Sequence, residues 1–144
     1  MNFKKLIKII LITFLVTGIP AMIIKPSLDG LTTPFNIPNI IFPIVWSILY
    51  LLMSISYYLV SNRQNTKGIY ALQLFFNTMW TIIFFGLKWR LFAFIWLIAL
   101  FIIVIIMLTR YFKINKTAGY LLIPYALWII FAGYLNLSIY LLNR

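Results

Sequence analysis

The chain has 144 residues, 65% of them hydrophobic and 9% charged, with twelve Lys and Arg against one acid and a net charge of +11. A soluble domain is about 45–50% apolar and about 25% charged, so a water-soluble fold is excluded, and the basic excess is read as helix orientation and lipid-headgroup contact, not nucleic-acid binding. With no Cys, no His and a single carboxylate, Asp29, the chain lacks the side chains for structural zinc, thiol chemistry, imidazole catalysis and paired-carboxylate hydrolysis.

The first apolar run, 6–24, follows Lys4, Lys5 and Lys8. A basic start and an apolar run also describe a signal peptide. This run is long and ends in no small-residue cleavage pattern, so it is expected to be retained as a helix bent or ended near Pro20. The segment 25–39 holds Pro26, Gly30, Pro34 and Pro38 and is the longest connection. It is apolar for a loop, with Leu28, Leu31, Phe35 and Ile37. Two readings stand: a linker on the membrane surface, or a lid over the helix ends.

Four more spans are predicted at 40–60, 69–87, 91–109 and 120–142, each near the ~20 residues that cross the hydrocarbon. The expected architecture is all-α, one domain over 1–144, an integral membrane bundle of five transmembrane helices. The turns 61–68, 88–90 and 110–119 are short, which predicts that helices two to five pack as sequential antiparallel neighbours. Spans two to five carry no charge, which argues against a proton- or sodium-driven carrier. Eight basic residues fall on the N-terminal side and four, Lys25, Lys88, Arg90 and Arg144, on the other. A multi-pass cell-membrane protein with a cytoplasmic N-terminus and an external first loop is expected.

Within the spans, polar and aromatic residues recur at helical spacing. Trp46, Tyr50, Met53 and Tyr57 share one face of the second span. Gln73, Asn77, Trp80 and Phe84 share one of the third. In the fifth, Pro124, Trp128 and Ala132 share a face, followed by Leu135, with Asn136, Tyr140 and Asn143 on a neighbouring stripe. An amide in hydrocarbon needs a partner. Interhelical hydrogen bonds satisfy Gln73, Asn77 and Asn136 in one reading; in the other they line a ligand cavity with the Trp and Tyr rings, whose flat faces suit aromatic ligands. Tyr70, Trp89, Tyr111 and Tyr120, near span ends, are expected in the interfacial belt. Trp96 is left facing either lipid or protein. Three stretches, 52–63, 108–113 and 137–144, fit the permissive Leu/Val–Tyr–Lys/Arg pattern proposed for sterol contact.

Three motifs carry a resemblance. Phe42-Pro-Ile-Val-Trp46-Ser-Ile-Leu-Tyr50, Gln73-Leu-Phe-Phe-Asn77-Thr-Met-Trp80-Thr-Ile-Ile-Phe84-Phe85 and Pro124-Tyr125-Ala-Leu-Trp128-Ile-Ile-Phe131-Ala132-Gly-Tyr-Leu135-Asn136 resemble helices two, three and five of the TspO/MBR family of tryptophan-rich sensory and translocator proteins. The first loop departs from that family's Trp- and Pro-rich pattern, with Phe35 in place of a Trp and Ile37 in place of one Pro. The resemblance implies a five-helix bundle, often homodimeric, that binds porphyrin, haem or related flat ligands and requires no cofactor. It implies a cavity lined by Trp46, Tyr50, Asn77, Trp80, Phe84, Trp128, Ala132 and Leu135 and capped by the first loop with Phe35 and Pro38. A sensory or regulatory role in tetrapyrrole or stress response follows from it. Alternatives are light-dependent porphyrin breakdown through Trp46 and Trp128, facilitative transport of small amphipathic solutes, and a structural helper whose stripes only pack helices.

Overall fold

The computed structural model describes residues 2–144. Among them are five helices long and apolar enough to cross a membrane: α1 (Phe3–Ile24), α2 (Ile41–Val60), α3 (Lys67–Thr81), α4 (Arg90–Ile114) and α5 (Lys116–Leu142). The protein is an all-α membrane bundle. A π-helical turn, Ile82–Gly86, extends α3 and completes its span. The amide of Leu87 donates to the Ile82 carbonyl at 2.9 Å, and Lys88 ends the turn at a positive φ of 61°.

The helix ends follow from local chemistry. Asn2 caps α1 by accepting from the Lys5 amide at 3.1 Å, and Lys25 closes it in the left-handed conformation. Pro20 is accommodated inside α1, which continues to Ile24. Pro43 sits in the first turn of α2, where an amide hydrogen has no intrahelical partner to lose. Between α4 and α5 one residue, Asn115, lies outside the helices. It is extended, and its Oδ1 accepts from the amides of Thr117 and Ala118. The sequence reading of 110–119 as a connection is therefore corrected. Both helices run past the apolar spans, because Arg110, Lys113 and Lys116 can stay helical while their charges reach the headgroup region.

Packing also departs from sequence order. α1 packs on α2 and α3; α5 packs on α2 and α4; α3 packs on α4; and α2 makes a smaller contact with α4. The bundle is thus a ring in the order α1, α2, α5, α4, α3, in which α2 and α3 meet through side chains, such as Tyr57 stacked on Tyr70 at 4.5 Å, without a close backbone seam. The hydrophilic 61–66 connection passes the end of α1, which packs on both helices. There the Asn2 amide donates to the Tyr58 hydroxyl at 2.6 Å, and Lys5 Nζ donates to Asn62 Oδ1 at 2.9 Å.

The core joins α2, α3, α4 and α5 around Met53, Leu74, Phe84, Leu100, Met107, Leu122 and Ile139. The outward faces are Ile, Leu and Phe, as a lipid-facing surface requires. Two belt expectations are overturned. Tyr70 and Tyr111 are buried, while Trp89 and Tyr120 are exposed. The Tyr70 hydroxyl pairs with Thr13 Oγ1 at 2.6 Å, and the Tyr111 hydroxyl donates to the Thr66 carbonyl at 2.7 Å. Their rings face neighbouring helices, and these hydroxyls find partners there instead of at the interface. Trp96 packs on protein, stacked on Phe76, with its indole N–H donating to the Phe76 carbonyl at 2.9 Å.

Candidate functional site

The polar residues of the spans form two buried chains of hydrogen bonds. The Tyr50 hydroxyl donates to Asn77 Oδ1 at 3.1 Å. Asn77 Nδ2 donates to the Tyr125 hydroxyl at 2.8 Å, which donates to Gln73 Oε1 at 2.8 Å. This chain ties α2, α3 and α5 across the middle of the ring. In the second chain Trp80 Nε1 donates to Asn136 Oδ1 at 3.0 Å, and Asn136 Nδ2 donates to the Arg90 carbonyl at 2.8 Å. All three amides are satisfied within the bundle, as the hydrogen-bonding reading expects. Asn77 is buried behind Tyr50 and borders none of the cavities described below.

Above these chains the Trp46 ring is an aromatic hub. It stacks on Tyr50 at 5.6 Å and meets Trp80, Tyr125 and Trp128 each at 6.3 Å, the last at 90°. Trp80 stacks on Phe84 at 5.3 Å, and Trp128 leans on Phe131 at 5.0 Å and on Phe42 at 6.3 Å. Helical spacing explains the convergence: Trp46 and Tyr50 are one turn apart on α2, as are Trp80 and Phe84 on α3 and its π turn. The Nε1 of Trp128 is buried and has no hydrogen-bond partner among the described residues.

Two voids adjoin this hub. The first is nearly closed, at about 10 Å³, room for one water at most. Trp46, Trp80, Phe84, Trp128, Ala132 and Leu135 line it, so six of the predicted residues converge there; Leu28 and Asn136 border it too. The second holds about 360 Å³ between α1, α2 and α3, within the range of small-molecule sites. Tyr50 lines it together with Gly18, Ala21 and Ser47. Phe42, Trp46, Trp80 and Phe85 belong to both and form the partition between them.

The first loop lies across the ring at this end. Asn143 at the end of α5 accepts from the Thr32 amide at 2.9 Å and donates to the Thr32 carbonyl at 2.8 Å. Asn39 accepts from the Leu28 amide at 3.1 Å and donates to Asp29 Oδ1 at 2.8 Å. These bonds press Leu28 into the core. Phe35 and Pro38 do not join the site: both are exposed, Phe35 touches Phe131 at 6.1 Å, and neither borders a void. Sequence reasoning did not assign Leu28, Phe42, Phe85 or Tyr125 to the site. An apolar side chain in a breaker-rich loop and a Tyr in mid-span were the available signals for Leu28 and Tyr125.

Residues 7–142 match the model of the TspO/MBR family. The chain is 37% identical to protein CrtK of Rhodobacter capsulatus, across 80% of this chain and 77% of that protein. It is 34% identical to a tryptophan-rich sensory protein of Cereibacter sphaeroides, across 92% and 90%. It is 37% identical to the tryptophan-rich protein TspO of Archaeoglobus fulgidus, across 99% of each.

Proposed function

The chain belongs to the TspO/MBR family, and on that premise we propose that it binds a porphyrin or similar flat tetrapyrrole inside the membrane and serves a sensory or regulatory role in tetrapyrrole or stress response. The carrying observation is the partition of Phe42, Trp46, Trp80 and Phe85 between an open cavity of about 360 Å³ and a nearly closed one. A flat apolar ligand enters from the α1–α2–α3 side, lies against the face of Trp46, and displaces partition rings to reach Trp128. Rings are suited to this, because stacking on a macrocycle replaces the ring–ring contacts that they give up. The unpartnered Trp128 Nε1 then meets an acceptor on the ligand. Leu28 and the loop stapled by Asn39 and Asn143 close the end. Metal-free porphyrin needs no His or Cys ligand, which this chain lacks.

The test is a dark titration of the purified protein in detergent with protoporphyrin, following Trp emission, with Trp46→Ala and Trp128→Ala alongside. The reading expects saturable quenching in the wild type, weakened at least about tenfold in both variants. Equal, non-saturating quenching in all three proteins would mean partition into detergent and would remove the reading.

One observation favours a second reading, light-dependent porphyrin oxidation. Trp46 lies 6.3 Å from each of Trp80, Tyr125 and Trp128, so an excited ligand beside it would face a contiguous set of oxidisable rings. Porphyrin loss in light that stops in Trp46→Phe and Trp128→Phe, with dark binding kept, would support it. The homodimer belongs to the same family reading, and light scattering of the detergent complex tests it.

A further inference from the structure

The opposite end of the bundle carries a second cleft that the ligand reading does not use. It holds about 420 Å³ between α1 and α3, with Tyr57 of α2 at its back. Its lining is sorted along the helices. Lys5 and Lys8, in the first two turns of α1, and Lys67, the first residue of α3, stand at the rim. Farther along the helices from that end, buried Ile9 and Leu74 and exposed Ile12 and Ala71 form an apolar wall. Tyr57 and Tyr70, stacked at 4.5 Å, form the back, with the Thr13–Tyr70 hydrogen bond between them and α1.

No acid answers the three lysines. The one carboxylate of the chain, Asp29, lies beyond the far end of α1; the 22 residues of that helix span about 33 Å at 1.5 Å each. The partner Lys5 does have is neutral, Asn62 Oδ1 at 2.9 Å, and this bond orients its ammonium at the rim. The α3 N-terminus adds to the positive field. Its N-cap residue Thr66 directs its hydroxyl to the Arg63 carbonyl at 2.9 Å and leaves the first-turn amides uncapped. A cationic rim above an apolar groove, in a chain whose solvent is the bilayer, matches a molecule with a phosphate at one end and a hydrocarbon chain at the other. Basic clefts between transmembrane helices commonly take anionic headgroups.

We propose that the α1–α3 cleft is a binding site for one anionic phospholipid, its phosphate held by Lys5, Lys8 and Lys67 and an acyl chain lying along Ile12, Ala71 and Leu74. The site is independent of the tetrapyrrole reading: it shares no lining residue with the cavity beside Trp46.

The experiment is native mass spectrometry of the full chain released from micelles containing equal phosphatidylglycerol and phosphatidylcholine with identical acyl chains. The wild type is expected to retain phosphatidylglycerol at least about fivefold over phosphatidylcholine. Lys5→Gln/Lys8→Gln/Lys67→Gln is expected to lose that preference. A charge-matched variant at the same membrane end, Arg110→Gln/Lys113→Gln/Lys116→Gln, is expected to keep it within about twofold. Ala71→Leu, which leaves every charge in place and narrows the groove, is expected to lower phosphatidylglycerol retention. It keeps the proposal testable should the lysine variant fail to fold. Equal retention of the two lipids by the wild type would overturn the proposal, as would equal losses in the two charge variants. Displacement of the lipid by sn-glycerol 3-phosphate at the same concentration would instead make this a small-anion site and overturn the lipid assignment.

Discussion

At Tyr125 one hydroxyl joins two buried amides, accepting from Asn77 and donating to Gln73. Replacing it with Phe leaves a donor and an acceptor unpaired in the buried interior. Interhelical hydrogen bonds in membranes average about 0.6 kcal/mol and reach about 1.7, and two are lost here. Tyr125→Phe is therefore expected to destabilise the bundle by about 1–3 kcal/mol, read as a lowered thermal midpoint in detergent. Tyr50→Phe removes one bond at the end of the same chain and is expected to cost less. The amides and rings of this network were legible as stripes, because a residue's helical face follows from spacing alone. Their partners were not: Asn77 meets a Tyr 48 positions away, and only the ring order of the helices makes them neighbours. Phe35 shows the converse, since substitution into a family pattern does not tell whether the loop turns that side chain inward.

The α4–α5 hairpin shows how a single residue can reverse a membrane chain. Asn115 caps the start of α5, and Gly119 one turn later lies against Phe112: a Cβ on Gly119 would stand 2.8 Å from the Phe112 Cα and 2.6 Å from its Cβ. Backbone cannot yield as a side-chain tip does. Gly119→Ala is expected to destabilise by about 1–3 kcal/mol, as overpacking does, and Asn115→Ala by about 1 kcal/mol through the lost cap; both are measured by thermal unfolding. Span existence was legible from hydropathy, whose signal is the length of the apolar run. Helix ends were not, because charged turns beyond the hydrocarbon stay helical without adding to that signal. The π turn Ile82–Gly86 was equally hidden. A wider turn is not written in residue type, yet it sets how Phe84 and Phe85 both reach the voids beside Trp46.

For the whole molecule, connection length misleads where helix order does not follow the chain. The expectation that α2 and α3 form a close side-by-side pair rested on a short turn, but α1 packs on both of them while α2 and α3 meet through their side chains, and the resulting ring leaves a centre that Trp46 and its neighbours fill. The expected orientation follows from charge, eight basic residues against four. The chain has no Cys, so single cysteines report cleanly: Asn65→Cys is expected to resist an impermeant thiol reagent applied to intact cells, and Thr33→Cys to react. The most direct test of the central claim leaves every Trp in place and fills the cavity beside Trp46 instead. Gly18 lines that cavity, with nothing within 4 Å of a Cβ built on it, and Ala21 lies one turn on. Dark protoporphyrin titration of Gly18→Leu/Ala21→Phe, with the thermal midpoint measured beside it, is expected to show binding at least about tenfold weaker in a protein that still folds. Unchanged affinity in a folded variant would contradict the account, since the ligand would then not occupy the space between α1, α2 and α3.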